Sequence, residues 1–291
     1  MLSICIVNWN TRDYLSACLE SIEAYPPADE ACETIVVDNA SIDGSVEMLR
    51  ARFPSVVLIA NAHNAGYAGG NNQALAAATG DRLLLLNPDV VLEAATLTRA
   101  LEFLDTHPDA GLVGARQIQP DGATQHSVRG FPAPAAITWE VLGLGRLFPR
   151  SRRFASYMMR GFDYDRATEV DQPMGTFLLA RREVYDAIGG MDESFPIFFN
   201  EVDWCYRAKQ AGWKIYYTPD ARLVHYGGGS TRQAPKPAMI RESHRSMIRF
   251  FDKHYRKTMS PLAYRLAVEA ILAGEAIRIA RAQLLGRKRE P

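Results

Sequence analysis

The first half of the chain alternates short apolar runs with segments of helical period. Short runs rich in Val, Ile and Leu predict buried strands. Between them, apolar residues recur three or four positions apart, as in Leu15, Leu19 and Ile22, which predicts helices with one buried face. Strand and helix in alternation predict an α/β fold with a mostly parallel sheet flanked by helices. The predicted strands are Ile4 to Val7, Thr34 to Val37, Val56 to Ile59, Arg82 to Leu86 and Gly111 to Val113.

The pattern changes after Arg116. Residues 119–122 predict a tight turn, and residues 130–166 have no clear period, so we expect them to form loops over the sheet. A strand over 214–217 is expected to end at Pro219, whereas the chain from Lys236 onward has a helical pattern. We therefore predict two halves of one domain, 1–115 and 116–232, followed by a helical C-terminal segment, 233–291.

Polar residues follow each of the first four predicted strands. Ligands of a parallel sheet bind at the carboxyl ends of its strands, so these residues are candidates for a binding site. Asp38 has two interpretations: it accepts hydrogen bonds from a ribose or a base, or it forms an Asx turn or an N-cap ahead of the next helix. Asp89 either holds Mg²⁺ or Mn²⁺ or simply closes a turn. The polar segments are Asn8-Trp9-Asn10, Asp38-Asn39-Ala40-Ser41, Asn61 to Asn72 and Asn87-Pro88-Asp89.

The segment Asn64 to Asn72 contains three glycines and three asparagines, ahead of the helical run 73–78. Glycines let backbone N–H groups approach a ligand, and a helix N-terminus attracts phosphate, so the segment favours a phosphate-binding loop. Its spacing matches neither the dinucleotide fingerprint nor a P-loop. A flexible connection is the alternative.

Four ionisable residues later in the chain are further candidates. Glu201 and Asp203 begin a helix predicted over 201–211, and positions i and i+2 do not share a helix face, so we expect different roles for them. One would be a general base and the other a positioning residue, unless both simply complement the helix dipole. His225 would complete a metal site and Arg232 would meet a phosphate, although a lone His is more often structural.

Composition narrows the choice of partners. Lys plus Arg and Asp plus Glu are equal at 33 each, so there is no global basic field of the kind that binds nucleic acid. The four cysteines have no CxxC spacing, which argues against a structural zinc site or a disulfide framework. No signal-peptide core and no apolar run long enough for a membrane span occur, so we expect a cytoplasmic protein.

The C-terminal segment from Pro261 combines an apolar helical face with several arginines. Such a helix can lie on an anionic membrane surface, which would suit peripheral contact with the inner face of the cell membrane. Packing on the catalytic domain or on a second subunit is the other interpretation, so a homo-oligomer stays open. The face consists of Leu262, Leu266, Ala270, Ala273, Ile277, Ala280 and Leu284, with Arg265, Arg278, Arg281, Arg287, Lys288 and Arg289 beside it.

In combination, these segments resemble the family 2 glycosyltransferases, and particularly a rhamnosyltransferase-like branch with Asn-Pro-Asp where most members have Asp-x-Asp. The resemblance runs from Leu2 to about Arg232 and also includes Gly175-Thr176-Phe177, Asn200 to Arg207 and Val224-His225. It implies a GT-A fold, a divalent metal, Mg²⁺ or Mn²⁺, and a nucleotide-sugar donor. Residues 1–115 would bind the donor, and residues 116–232 would bind the acceptor and supply catalysis.

The resemblance also implies roles for individual residues. Glu201 would be the catalytic base, assisted by Asp203, and Asp89 with His225 would hold the metal. Asn87 replaces a carboxylate that often faces the metal, so we expect modest metal affinity without bound donor. The implied donor-binding residues are Asn8, Asn10, Asp38, Asn39, Ser41, Asn64, Gly66, Gly70, Asn71, Asn87 and Asp89. The implied acceptor-binding residues are Gly175, Thr176, Trp204 and Arg207.

The expected reaction is an inverting sugar transfer in cell-surface polysaccharide synthesis. Rhamnose from dTDP-L-rhamnose is the first choice of donor and UDP-hexoses the second, with a saccharide or lipid-linked saccharide as acceptor. A sugar nucleotidyltransferase is one alternative, although its basic glycine-rich loop is missing near residues 8–12. A non-catalytic nucleotide- or carbohydrate-binding module is another, but it gives no reason for Asp89, Glu201, Asp203 and His225 to occur together.

Overall fold

A computed structural model describes residues 1–227 and 236–287, and these residues form two compact units. The first unit comprises Met1–Arg129, Asp163–Pro196 and the chain from Asn200 to the end of the first described range. The second comprises Gly130–Phe162, Ile197–Phe199 and the second described range. The division at residues 115 and 232 stays a prediction.

The strands of the first unit form one large sheet and one small ribbon. Within the described residues, the sheet has nine strands in the order β3-β2-β1-β4-β10-β6-β11-β5, with β8 also paired to β11, and β7 pairs with β9 in the ribbon. The strands are β1 Leu2–Asn8, β2 Cys32–Asp38, β3 Val57–Ala60, β4 Arg82–Leu86, β5 Val90–Leu92, β6 Ala110–Ile118, β7 Val128–Arg129, β8 Thr168–Glu169, β9 Gln172–Pro173, β10 Phe177–Arg181 and β11 Lys214–His225.

The sheet is mostly parallel, as the sequence predicts. β1 pairs in parallel with both β2 and β4, β2 pairs in parallel with β3, and β6 pairs in parallel with β11. β10 lies antiparallel between β4 and β6, and β5 and β8 are antiparallel to β11. All seven residues of β1 are buried, which explains why this strand is an almost continuous apolar run.

The helices divide between the two units. The predicted buried faces are confirmed: Leu15, Leu19 and Ile22 are buried, as are Leu97, Leu101 and Leu104. In the first unit the helices are α1 Arg12–Ala24, α2 Ser45–Arg52, α3 Gly66–Ala77, α4 Thr96–Thr106, α7 Arg182–Ile188 and α8 Asn200–Gln210. In the second unit they are α5 Pro134–Val141, α6 Leu144–Leu147, α9 Lys236–His254 and α10 Pro261–Arg287.

The prediction of a glycine-rich loop ahead of residue 73 is wrong, because α3 already begins at Gly66. Gly70 lies against β1: a Cβ at this position would come within 2.7 Å of Val7 Cγ1. The low helix propensity of glycine is therefore outweighed by close packing of the helix on the strand. Most of the segment forms the first turns of a helix.

Two other local predictions are also wrong. Pro219 does not end its strand, since β11 continues to His225 and the register shifts between Thr218 and Arg222, where a residue without an N–H fits. Residues 130–166 are not all loops, because they contain α5 and α6. α5 begins at Pro134, a residue that suits the first turn of a helix even though the following residues lack a clear amphipathic pattern.

In the second unit, α10 packs against α9 and α5. Ala267 and Ile271 are buried, whereas Leu262, Leu266 and Ile277 on the predicted apolar face are exposed. Lys288 and Arg289, which belong to the predicted basic set, lie outside the described residues. None of the helices that the structure describes is long and apolar enough to cross a bilayer.

Candidate active site

The carboxyl ends of β1 and β2 are joined by a buried network of polar side chains. The amide of Asn8 donates to Asp38 Oδ1 at 2.7 Å and to Ser41 Oγ at 3.2 Å. Its carbonyl accepts from the hydroxyl of Thr11 at 2.6 Å. The other oxygen of Asp38 accepts from the backbone N–H of Ser41 at 2.9 Å. These contacts fix Asp38 at the sheet edge and make it part of an Asx turn. It does not cap the next helix, because the N-cap residue of α2 is Gly44.

Asn10 and Ser41 extend this network. Asn10 has a φ of 52°, in the left-handed region that Asn tolerates, and its backbone N–H donates to Ser41 Oγ at 2.9 Å. Its side-chain oxygen accepts from the backbone N–H of Ile42 at 2.8 Å. Ile42 itself is 92% exposed, so this turn presents an apolar side chain to solvent next to the network.

Asn39 links the ends of β2 and β3 to the start of α3. Its amide donates to the Gly66 carbonyl at 3.0 Å, and its oxygen accepts from Asn61 at 2.9 Å. The side chain of Asn64 accepts from the backbone N–H of Gly66 at 2.8 Å, and that of Asn71 donates to the Tyr67 carbonyl at 2.9 Å. The predicted donor-binding residues of this segment thus shape the first turns of α3.

Tyr67 connects α3 to the end of β4. Its hydroxyl contacts Asn87 Oδ1 at 3.1 Å and the carbonyl of Gly175 at 3.3 Å. The backbone N–H of Asn87 donates to the carbonyl of Thr176 at 2.9 Å, which fixes the turn after β4 against the start of β10. Burial, with the negative charges of Glu201 and Asp89 nearby, raises the pKa of Tyr67, so its phenol stays a neutral donor.

Glu201 lies in the first turn of α8 against Gly175. A Cβ at position 175 would come within 3.1 Å of both Cβ and Cγ of Glu201, so glycine makes room for this side chain. The side chain is half-buried, and desolvation raises the pKa of the Glu201 carboxyl. The backbone N–H groups of Glu201 and Val202 and the charge of Arg129 oppose this shift. The net effect makes Glu201 a stronger base than an exposed glutamate.

Asp89 and His225 face each other across the pair of β5 and β11. Asp89 Oδ1 lies 3.5 Å from His225 Nε2, and both side chains are buried. His225 Nδ1 lies 2.9 Å from the amide oxygen of Gln125. Because that oxygen accepts, the contact places a proton on Nδ1, and Nε2 faces the Asp89 carboxylate.

This arrangement fits a divalent cation. In the neutral imidazole with its proton on Nδ1, Nε2 and Asp89 Oδ1 are two acceptors 3.5 Å apart that a cation would bind together. A hydrogen bond to the far nitrogen is the usual support of a metal-bound imidazole. Within the described residues, no group of three or more His, Cys, Asp or Glu side chains could hold a metal. Further ligands would therefore have to come from elsewhere, such as a donor phosphate.

Asp203, Trp204 and Arg207 of α8 bond to one another or to the end of α7. Arg207 donates to Asp203 at 2.8 Å and to the carbonyls of Ile188 and Gly190. The indole of Trp204 donates to the carbonyl of Gly189 at 2.9 Å, and Trp204 and Asp203 are fully buried. These contacts tie α8 to the end of α7, so the roles of the three residues in catalysis or acceptor binding stay predictions that their geometry does not support.

The structure thus brings together three groups of predicted residues along one edge of the sheet. The β1–β2 network leads through Asn39 to α3, α3 leads through Tyr67 to Asn87 and Gly175, and the turn at Asn87 continues into Asp89. Sequence reasoning missed Tyr67 and Gln125, because a Tyr in a helix and a Gln after a turn carry no motif. Arg232, the predicted phosphate contact, lies outside the described residues.

The fold is that of the GT-A glycosyltransferases, which solved structures of this class share. The family model described as "Glycosyl transferase family 2" matches residues 3–189, which is more than half of the chain. The chain therefore belongs to glycosyltransferase family 2. This result decides against the sugar nucleotidyltransferase and the non-catalytic binding module.

Relatives and solved structures agree with this assignment. The N-acetylglucosaminyl-diphospho-decaprenol L-rhamnosyltransferase of Mycobacterium tuberculosis is 25% identical over 281 residues, covering 91% of this chain and 89% of the relative. The rhamnosyltransferase WbbL of Escherichia coli is 24% identical over 242 residues, covering 80% of this chain and 86% of the relative. The mannosyltransferase PcManGT of Pyrobaculum calidifontis was solved with GDP-Man and Mn²⁺. Its structure has a TM-score of 0.60 at 17% identity, and the match covers 100% of this chain and 76% of the mannosyltransferase. The chain is thus similar to hexosyl- and rhamnosyltransferases.

Proposed function

We propose that this glycosyltransferase inverts the configuration of the transferred sugar and that Glu201 is its catalytic base. The observation that carries the proposal is the position of the Glu201 carboxyl, half-buried beside Gly175 and with a raised pKa. Tyr67 connects this position to the Asn87 turn, where the predicted donor site ends. A base of raised pKa at the edge of a donor site suits the deprotonation of a sugar hydroxyl.

In the proposed reaction, the acceptor hydroxyl transfers its proton to the Glu201 carboxylate while its oxygen forms a bond to the anomeric carbon. The bond from that carbon to the phosphate oxygen breaks on the opposite face, and the nucleoside diphosphate leaves with the electron pair. Attack and departure on opposite faces invert the anomeric configuration. Negative charge grows on the leaving diphosphate, so positive groups near it lower the barrier.

We infer that Asp89 and His225 hold the divalent cation, Mg²⁺ or Mn²⁺. One carboxylate oxygen and one imidazole nitrogen suit Mn²⁺ better than Mg²⁺, which prefers oxygen ligands throughout. When bound there, the cation would supply positive charge to the leaving diphosphate. Mn²⁺ in the structure of the similar mannosyltransferase supports this choice.

For the donor we propose dTDP-L-rhamnose, and for the acceptor a lipid-linked saccharide. Rhamnose follows the names of the two rhamnosyltransferase relatives, and the lipid-linked acceptor follows the name of the one that acts on a diphospho-decaprenol saccharide. The dTDP carrier is what the resemblance to the rhamnosyltransferase-like branch implies. Asp38 and Asn8 would bind the nucleoside, and the turn at Asn87 would lie near the diphosphate. A lipid-linked acceptor brings the enzyme to a membrane surface, where contact through α10 stays a prediction, as does a homo-oligomer.

A nucleotide screen tests the donor site. A ligand that binds only the folded state raises the unfolding temperature, so dTDP with Mn²⁺ is expected to raise it more than UDP or GDP with Mn²⁺. Turnover with dTDP-L-rhamnose and UDP-glucose then compares complete donors. Stabilisation by UDP alone would contradict the rhamnose assignment, and no stabilisation by any nucleotide would contradict the donor site itself.

Substitution of Glu201 tests the base. Glu201→Gln keeps the shape of the side chain but removes its basicity, so transfer is expected to fall by about 10²-fold or more while dTDP affinity is unchanged. Glu183→Gln is the matched control, because Glu183 lies in the first turn of α7 and is exposed. Normal turnover by Glu201→Gln would show that another group takes the proton.

A further inference from the structure

The segment Val141–Arg153 in the second unit exposes large apolar side chains. Leu142 and Leu147 are 63% and 69% exposed, and Val141 and Phe148 are 51% and 47% exposed. The segment includes the end of α5 and all of α6, and we call it the 141–153 surface. Four exposed apolar side chains within eight residues form a patch rather than the scattered apolar residues of an ordinary surface.

The same segment carries only positive charge. It contains Arg146, Arg150, Arg152 and Arg153 and no Asp or Glu, although the whole chain has a net charge of zero. All four arginines are exposed. Within the described residues, the nearby carboxylate of Glu140 pairs with Arg160 instead, and no ion pair involves the four arginines. Arg153 lies over the rings of Trp139 and Phe154, and the charges of the other three arginines are available to an anionic partner.

Packing within the second unit holds the apolar side chains outward. The ring of Trp139 meets that of Phe154 edge-on at 5.4 Å between centroids, and Phe148 lies 5.7 Å from Phe154. Gly145 is buried, and a Cβ there would come within 2.8 Å of the Phe154 carbonyl. Trp139, Phe148 and Phe154 thus fill the inner side of the segment, and the side chains of Leu142 and Leu147 stay exposed to solvent.

We propose that the 141–153 surface binds an anionic membrane surface. Apolar side chains enter the boundary between headgroups and acyl chains while neighbouring arginines contact lipid phosphates. A second copy of the chain fits less well, because a symmetric contact through this surface would bring the same arginines together.

The C-terminal helix is the weaker candidate for this contact. Over residues 261–283, α10 carries Arg265, Arg278 and Arg281 but also Glu269 and Glu275. Its exposed apolar residues therefore lie beside charges of both signs, whereas the 141–153 surface carries one sign only. Attraction to anionic lipid follows the local positive charge, so it favours the 141–153 surface as the principal contact.

This inference goes beyond the proposed sugar transfer, and its test needs no nucleotide. The whole protein is sedimented with phosphatidylcholine vesicles that contain or lack phosphatidylglycerol. Wild type is expected to bind only the anionic vesicles, and less so at high salt. Arg150→Gln combined with Arg152→Gln is expected to weaken binding roughly thirtyfold. Leu142→Ser combined with Leu147→Ser is expected to weaken it on the order of tenfold or more.

Arg278→Gln combined with Arg281→Gln is the matched control, since it removes two exposed positive charges from α10. It is expected to bind nearly as wild type does, and thermal unfolding checks that every variant is folded. The proposal is overturned if wild type does not prefer anionic vesicles or if the Arg150 and Arg152 variant binds them normally. It is overturned as well if the Arg278 and Arg281 control loses as much vesicle binding as that variant does. It is also overturned if gel filtration shows that the Arg150 and Arg152 substitutions dissociate a dimer.

Discussion

The Glu201 carboxyl shows how one residue combines position with basicity. Gly175 leaves space for its side chain, and the partial burial that results raises its pKa. The backbone N–H groups at the start of α8 pull the pKa the other way, but desolvation is the larger effect. A carboxyl whose ionised form is disfavoured takes a proton from an acceptor hydroxyl more readily than an exposed carboxyl does.

The raised pKa of Glu201 predicts a pH dependence of stability. A raised native pKa means that the native state holds this proton more tightly than the unfolded chain does, so the contribution is fully present below the unfolded pKa. It is lost as the pH rises through the native pKa. Glu201→Gln is expected to remove this loss, so that the variant gains stability relative to wild type as the pH rises. Free energies of unfolding in urea, measured from acidic to neutral pH, check this.

Glu183→Gln serves as the control for that measurement, because Glu183 is exposed. Its unfolding free energy is expected to follow wild type across the pH range. If the free energies of unfolding of Glu201→Gln and wild type differ by a constant amount over the same pH range, Glu201 has no raised pKa in the native state.

Gln125 is expected to matter through His225. Removing its amide oxygen, which contacts His225 Nδ1 at 2.9 Å, leaves the imidazole without its orienting partner. Gln125→Ala is therefore expected to weaken Mn²⁺ binding in the presence of dTDP by roughly 10- to 100-fold. Gln119→Ala, an exposed residue of the neighbouring turn, is the control. Titration calorimetry measures both, and equal affinities would remove Gln125 from the metal site.

Among the elements, α3 shows how packing outweighs propensity. Its first turns contain Gly66, Gly69 and Gly70, and isolated peptides with such a sequence form helices poorly. The absence of a Cβ at Gly70 lets α3 approach β1 closely, and Asn39 bonds to the helix at Gly66. The helix therefore brings Tyr67 to the end of β4.

Gly70→Ala is expected to destabilise the protein even though alanine is the better helix former. The new Cβ would lie 2.7 Å from Val7 Cγ1 and 3.3 Å from Asn39 Nδ2. Such overpacking costs about 1–3 kcal/mol, against roughly 1 kcal/mol gained in helix propensity. Denaturant unfolding measures the change. Adding Val7→Ala should restore part of the loss, and strict additivity of the two substitutions would argue that they do not touch.

At the scale of the whole molecule, every described candidate for donor binding, metal binding or catalysis lies in the first unit. The second unit contains the 141–153 surface and the C-terminal helices. Sugar transfer and membrane contact are thus assigned to separate compact parts of the chain.

This separation predicts where a donor nucleotide protects the backbone. Hydrogen exchange with dTDP and Mn²⁺ together is expected to slow in the segments after β1, β2 and β4 and at the end of β11, and to stay unchanged in α5 and α6. Mn²⁺ alone is expected to protect little, because no group of three or more His, Cys, Asp or Glu side chains that could hold a metal occurs among the described residues. Strong protection by Mn²⁺ alone would contradict the dependence on donor phosphate, and protection confined to the second unit would contradict the assigned site.

The sequence by itself determined the first strands of the sheet, their parallel order and which polar residues follow them. These features depend on local apolar periodicity and on the rule that ligands bind at the carboxyl ends of parallel strands, so Asp38, Asp89 and Glu201 could be selected without a structure. Tertiary structure alone decided that α3 begins at Gly66, that Tyr67 meets Asn87, that Gln125 orients His225 and that Arg207 serves α8 packing. Each of these contacts joins residues or elements whose pairing depends on three-dimensional packing, and no local pattern in the sequence records which partners packing will bring together.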